Sequence, residues 1–129
     1  MSDKSIVQKL FIKSGNKFLL INPPAGYLAL LGQLPEGTIL LSDSSCLVEV
    51  IQVFVINRAE LELQLSRLKE LLAPRGMLWV SYHKGTSKVK TDINRDTINA
   101  YAGSLGLQGV AMISIDDDWS ALHLKHIRE

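Results

Sequence analysis

What this chain has little of narrows its reading first. A single cysteine, Cys46, excludes an intramolecular disulfide and leaves no thiol-rich metal site. No apolar run approaches the roughly 20 residues that a membrane helix needs, and Met1-Ser2-Asp3-Lys4 is not followed by an apolar segment of signal-peptide type. The expected setting is a reducing cytoplasm without membrane contact. Charge of one sign is missing too: 14 basic against 13 acidic side chains leave a net charge of +1. With no global field to draw nucleic acid or an anionic membrane, neither is expected as a partner, and any basic site must be local. Internal repeats, low-complexity tracts and linkers are also absent.

What is present is an ordinary globular composition, 47% hydrophobic and 21% charged over 129 residues, which suits one domain spanning 1–129. The organising stretch is Leu71-Leu72-Ala73-Pro74-Arg75-Gly76-Met77-Leu78-Trp79-Val80-Ser81-Tyr82. It reads as a leucine helix stopped by Pro74, a reversal at Gly76, and a buried strand over 77–82. The strand runs out into the cationic loop His83-Lys84-Gly85-Thr86-Ser87-Lys88-Val89-Lys90, and Thr91 or Asp92 is expected to cap the helix that follows. The loop sits at the carboxyl end of a strand, where open α/β sheets bind ligands.

The remaining elements follow the same logic. A short amphipathic helix over 5–12, with Ile6, Val7 and Leu10 inward, precedes a strand over 17–21 whose run Phe18-Leu19-Leu20-Ile21 suits burial on both faces. Leu28, Leu30, Leu31 and Leu34 belong to a helix ended by Gly32 or by Pro35-Glu36-Gly37, before a brief strand over 38–41. Residues 47–56 are β-branched and make a third strand. Asn57 with Glu60 starts the helix carrying Leu61, Leu65, Leu68 and Leu72. Ile98, Tyr101, Ala102 and Leu105 form an inward stripe ended by Gly106. Strands over 110–115 and 119–127, joined by Asp116-Asp117-Asp118, must be an antiparallel hairpin. The spatial order expected for the six strands is 2-1-3-4-6-5.

The segment 72–80 resembles the approach to the fifth strand of class I S-adenosylmethionine (SAM)-dependent methyltransferases, and the final hairpin is similar to theirs. The whole chain resembles the bacterial DUF3052 family through Pro23, Gly26 and Tyr27 after the first strand, Leu34-Pro35-Glu36-Gly37, Thr91-Asp92, and Trp119-Ser120-Ala121-Leu122. The resemblance implies a truncated, methyltransferase-like Rossmann fold: a mixed, mainly parallel sheet with helices on both faces and a C-terminal antiparallel hairpin. It also exposes a departure. Methyltransferases cradle their cofactor with a Gly-x-Gly-x-Gly loop after the first strand, and here that place holds Asn22-Pro23-Pro24-Ala25-Gly26. Two prolines remove donors, and only Gly26 remains. Asp43 falls where such folds place an acid for the ribose hydroxyls, although a loop aspartate also bonds readily to its own backbone.

Asn22-Pro23-Pro24 invites comparison with the Asn-Pro-Pro-aromatic motif of amino-group methyltransferases. The fourth position is Ala25, so a rigid turn is the reading, with Tyr27 at the edge of a crevice. In the basic loop, lysines, hydroxyls and a helix start suit an anion, yet no Gly-x-x-x-x-Gly-Lys-[Ser/Thr] run is present, and a mobile solvated loop is the leading reading. His83 is the one general-base candidate, without a carboxylate or nucleophile placed beside it. His123 and His126 lie three apart on a strand, face opposite sides and cannot share a metal; they read as exposed or edge residues. Trp79 and Trp119 read as core anchors.

The leading expectation is a non-catalytic or degenerate domain that binds a small anion, a nucleotide or a protein partner and uses no cofactor. An active SAM-dependent methyltransferase is the alternative, and a self-pairing structural homodimer the third. The candidate ligand residues are Asn22, Gly26, Tyr27, Asp43, His83, Lys84, Gly85, Thr86, Ser87, Lys88 and Thr91, with no catalytic residue and no metal ligand.

Overall fold

The computed structural model describes residues 5–85 and 91–127. Helix α1 (Ile6–Lys9) starts at a capping box: the Ser5 hydroxyl accepts from the Gln8 N–H at 3.2 Å and Gln8 Oε1 from the Ser5 N–H at 2.8 Å. Strand β1 (Lys17–Ile21) follows and turns into helix α2 (Tyr27–Leu31), which stops at Gly32, so Leu34 lies outside it. Strands β2 (Ile39–Leu41) and β3 (Val48–Phe54) lead to helix α3 (Arg58–Leu68), capped by Asn57, whose Oδ1 accepts from the Glu60 N–H at 2.9 Å. Strand β4 (Leu72–His83), helix α4 (Arg95–Ser104), and strands β5 (Leu107–Ser114) and β6 (Trp119–His126) complete the chain.

All six strands form one sheet in the order β2-β1-β3-β4-β6-β5, the order expected from the sequence. The first four pair in parallel, and β6 runs antiparallel to both β4 and β5. Because side chains alternate along a strand, the doubly apolar strands β1 and β3 need cover on both faces. On one face Ile6 and Leu10 of α1 and Tyr27 and Leu31 of α2 pack on Phe18, Leu20, Val50, Phe54 and Trp79. On the other, Leu61, Leu65 and Leu68 of α3 and Ile98 and Ala102 of α4 pack on Leu19, Ile51, Val53, Leu78 and Val80. The carboxyl ends of β1, β2, β3 and β4 therefore share one edge.

Helix α1 is shorter than the expected 5–12 and β5 starts three residues before the expected 110, and two further differences have a clear physical reason. Helix α3 ends at Leu68, and β4 already begins at Leu72, so Pro74 and Gly76 lie inside a strand and do not stop a helix. Val48 pairs with Leu72 and Val50 with Met77, so two steps of β3 face five of β4 and residues 73–76 form a wide bulge. A bulge is where a strand tolerates proline, and Pro74 is exposed. Gly76 is there for space: a Cβ would lie 2.9 Å from the Glu49 carbonyl oxygen, 3.0 Å from that of Ala73 and 2.8 Å from Leu72 Cδ1. The second difference is the cap of α4. It is Asn94, accepting from the Thr97 N–H at 2.9 Å, not Thr91 or Asp92. Those two are engaged elsewhere: the Thr91 hydroxyl donates to the Ile56 carbonyl at 2.7 Å, and Asp92 Oδ1 accepts from the Arg58 N–H at 2.8 Å.

Replacing Gly76 by alanine forces the backbone at Glu49 and Ala73, as well as the Leu72 side chain, to move. Urea unfolding of Gly76→Ala is expected to show a loss of about 1–3 kcal/mol, the range for overpacking. An unchanged midpoint would mean that the bulge is not tightly packed.

Candidate functional site

The shared carboxyl edge carries two groups of candidate residues. The first surrounds the turn after β1. Asn22 adopts φ 57° and Gly26 φ 82°, so the chain passes twice through the left-handed region within five residues. Pro23 and Pro24 between them have no N–H to offer, while a Cβ on Gly26 would meet nothing within 4 Å, which leaves open space there. The parallel register of β1 and β2 ends at Leu19↔Leu41, so Asp43 follows β2 at the same edge at which Asn22 follows β1. Asp43 Oδ1 accepts from the Ser44 N–H at 2.8 Å and lies 3.7 Å from Arg67 Nη1; the side chain is 81% exposed. At that exposure the ion pair is worth little.

Tyr27 does not line a crevice: it is 3% exposed. Its hydroxyl donates to Gln52 Oε1 at 2.7 Å, and Gln52 Nε2 donates to Ser81 Oγ at 2.9 Å. Gln52 and Ser81 are fully buried on β3 and β4, so this chain of bonds answers an otherwise costly polar burial. A run of rings continues from it beneath the edge. Tyr27 meets Phe54 edge-on with centroids 4.7 Å apart, Phe54 meets Trp119 at 4.9 Å, and His83 stacks on Trp119 at 4.0 Å. Trp119 and Trp79 are core residues, as the sequence implies.

The second group lies at the end of β4. His83 is its last residue, buried against Trp119 instead of lying on the surface. The Lys84 N–H donates to the Asp118 carbonyl at 2.8 Å and its Nζ to Ser114 Oγ at 2.7 Å. His83, Lys84, Gly85 and Thr91, with Tyr82 and Asn94, line a cleft of about 220 Å³. A neighbouring cleft of about 370 Å³ adds Arg95, Asp96 and Met112. Thr86, Ser87 and Lys88 lie outside the described residues. Among the described residues no group of His, Cys, Asp and Glu gathers as a metal site, and no helix is long and apolar enough to cross a membrane.

Sheet order, strand polarity and two-sided helix cover can be set against solved structures. The ribosomal protein L11 methylase of Lactobacillus delbrueckii subsp. bulgaricus superposes with a TM-score of 0.62 at 12% identity, over 95% of this chain and 75% of that one. A SAM-dependent methyltransferase of Aquifex aeolicus gives 0.61 at 13% identity, over 92% of this chain and 86% of that one. A TehB-like SAM-dependent methyltransferase of Corynebacterium glutamicum gives 0.61 at 12% identity, over 93% and 85%. The fold is that of the SAM-dependent methyltransferases. These neighbours overturn the expectation of a scaffold without cofactor, since two of them are SAM-dependent by name. No protein-family model and no curated protein sequence matches the chain, so the resemblance to the DUF3052 family stays one of short motifs.

The residues that sequence reasoning missed are Gln52 and Ser81. Neither carries a motif, and only the register that sets β3 beside β4 joins them to Tyr27. Burial first, and the Asp116 charge last, push the Tyr27 hydroxyl titration upward, against an opposing effect of the Gln52 bond. An acid whose folded value is raised contributes stability that is complete below its unfolded value near pH 10 and is lost as pH climbs through the folded one. Tyr27→Phe should therefore lose about 1–3 kcal/mol at neutral pH by orphaning Gln52, and should decline less steeply than wild type above about pH 10, where buried Tyr82 still contributes. Chemical denaturation across pH reads both effects; a variant matching wild type at pH 7 would show the bond to be idle.

Proposed function

We propose that the protein works as a SAM-dependent methyltransferase domain, with the cofactor seated on the edge formed by β1 and β2. The observation that supports this most is that Gly26 and Asp43 follow β1 and β2 at the same carboxyl edge, in a sheet superposing on methyltransferases over nine-tenths of this chain's length. The residues present fit the nucleoside part of the group. Asp43 is exposed, and its Oδ2 has no partner among the described residues, so it can accept two ribose hydroxyls. Open space beside Gly26 admits a ligand close to backbone. The two prolines hold that backbone rigid, and amide donation falls to Ala25 and Gly26.

When bound, SAM supplies a methyl group on a sulfonium centre, open to attack by a nucleophile. The protein's part is to seat the nucleoside at Asp43 and Gly26 and to leave the clefts beside His83 and Lys84, further along the same edge, for an acceptor. Lys84 at those clefts favours an acceptor with negative charge, while Arg95 lies 3.6 Å from Asp96 and is partly compensated by it.

Calorimetric titration with SAM and its demethylated product tests the reading. Saturable binding of both is expected, weakened about tenfold or more in Asp43→Ala because hydrogen bonds to a charged group are lost. Gly26→Val, which strains a positive φ and fills the open space, should abolish binding. Absence of heat and of any thermal shift with either compound at millimolar concentration contradicts the proposal.

A further inference from the structure

At the opposite end of the sheet, the bulge of β4 and the end of β6 enclose a pocket of about 190 Å³. Its side chains are unusual for this near-neutral chain: Arg75 from the bulge, and His123, Lys125 and His126 from β6, with no carboxylate among them. Glu49, on β3 beside the bulge, has its carboxylate engaged elsewhere, since its Oε1 accepts from the Lys17 N–H of β1 at 2.7 Å. His123 is fixed by its ring, which stacks on Trp79 with centroids 4.8 Å apart. Its Nε2 is buried and has no hydrogen-bond partner among the described residues. Leaving a buried polar nitrogen unmatched is costly, and such groups call for an explanation in an absent ligand or water. His126 Nε2 lies 3.0 Å from the Leu72 carbonyl oxygen; a carbonyl only accepts, so this nitrogen carries its proton and ties the end of β6 to the start of β4.

We infer that this pocket is a binding site for a phosphoryl group, held by Arg75 and Lys125, with the imidazole of His123 in its wall. Arginine offers a planar fork of donors that matches phosphate geometry, and lysine adds a compact charge. The bulge is what makes the site: the extra residues at 73–76 swing Arg75 over the end of β6, where a regular strand would continue in register. The site is separate from the edge assigned to SAM and stands whether or not that reading holds.

Protonation of His123 is linked to occupancy. Burial, and then the Lys125 charge, lower its titration below the ordinary histidine value, and Arg75 and His126 are the other cationic or titratable groups lining the same pocket. A bound dianion opposes both effects, so it favours the imidazolium and raises the His123 titration relative to the free protein; the phosphoryl group takes up its own proton in the same range, so the linkage is read at the ring and not from affinity. Without ligand the sign is reversed for folding: the neutral ring is the stable form, complete above about pH 6.5, and stability falls below that value.

The test is an NMR titration of the His123 and His126 ring signals, with inorganic phosphate in one arm and adenosine monophosphate in the other, at constant ionic strength set by chloride. Saturable shifts are expected in at least one arm, with the His123 ring titrating at higher pH in the bound form than in the free protein. Arg75→Ala and Lys125→Ala, both exposed positions, should each weaken binding by about tenfold or more. His123→Phe, which keeps the stack on Trp79, should weaken binding in both arms. Tighter binding of the nucleotide identifies the phosphoryl group as part of a nucleotide, and equal binding identifies phosphate itself; either supports the site. Shifts that stay linear in both arms, that chloride alone reproduces, or that survive unchanged in both alanine variants overturn it.

Discussion

Gln52 is the point on which the carboxyl edge of this molecule depends. A fully buried amide in the middle of β3 is tolerable only if both of its ends are hydrogen-bonded, and the partners come from two other elements: Tyr27 at the start of α2 and Ser81 on β4. The bond to Tyr27 anchors the first turn of α2 over the sheet. It thereby sets where the turn of 22–26 ends and how Gly26 faces the edge. The bond to Ser81 ties β3 to β4 just before the strand releases His83 and Lys84. One buried amide thus couples the turn at β1/β2 to the clefts at the end of β4.

The rest of the architecture follows from burial on two faces. Strands β1 and β3 have apolar side chains in both directions, so neither can face water, and the short helices α1 and α2 cover one side while α3 and α4 cover the other. Parallel strands with such crossovers place every loop of one kind at one edge, and this is why Gly26, Asp43, His83 and Lys84 come to share it although they are spread over 59 positions of the chain. The amino-terminal edge is free of that role. There the β4 bulge and the two histidines of β6 create a second, cationic corner.

Much of this was legible in the residues. The apolar run of 18–21, the β-branched run ending in Phe54 and the three-aspartate hairpin sufficed to place those strands, and their spatial order came from the resemblance to a methyltransferase core. The failures have specific causes. Leu72 continues the spacing of Leu61, Leu65 and Leu68, so periodicity carried the helix past its end at Leu68; a strand residue can occupy the next helical position by coincidence. Pro74 and Gly76 look like helix punctuation, yet they serve a bulge and a close backbone approach, which require knowledge of β3 alongside. Thr91, Asp92 and Asn94 are all cap-type residues, and only the neighbouring start of α3 decides that the first two are engaged there. His83, His123 and His126 carry no local mark of their surroundings, which come from stacking and from strand register.

The central claim is that this compact sheet keeps a nucleoside seat at β1/β2 even though two prolines replace the usual glycines of the turn. A crystal structure of the protein grown with S-adenosylhomocysteine tests it most directly. The account predicts the ribose hydroxyls on Asp43 and the ligand lying against the backbone of Gly26. Ligand density at another edge of the sheet, or well-ordered protein crystals in which a saturating concentration leaves that seat to solvent, would contradict it.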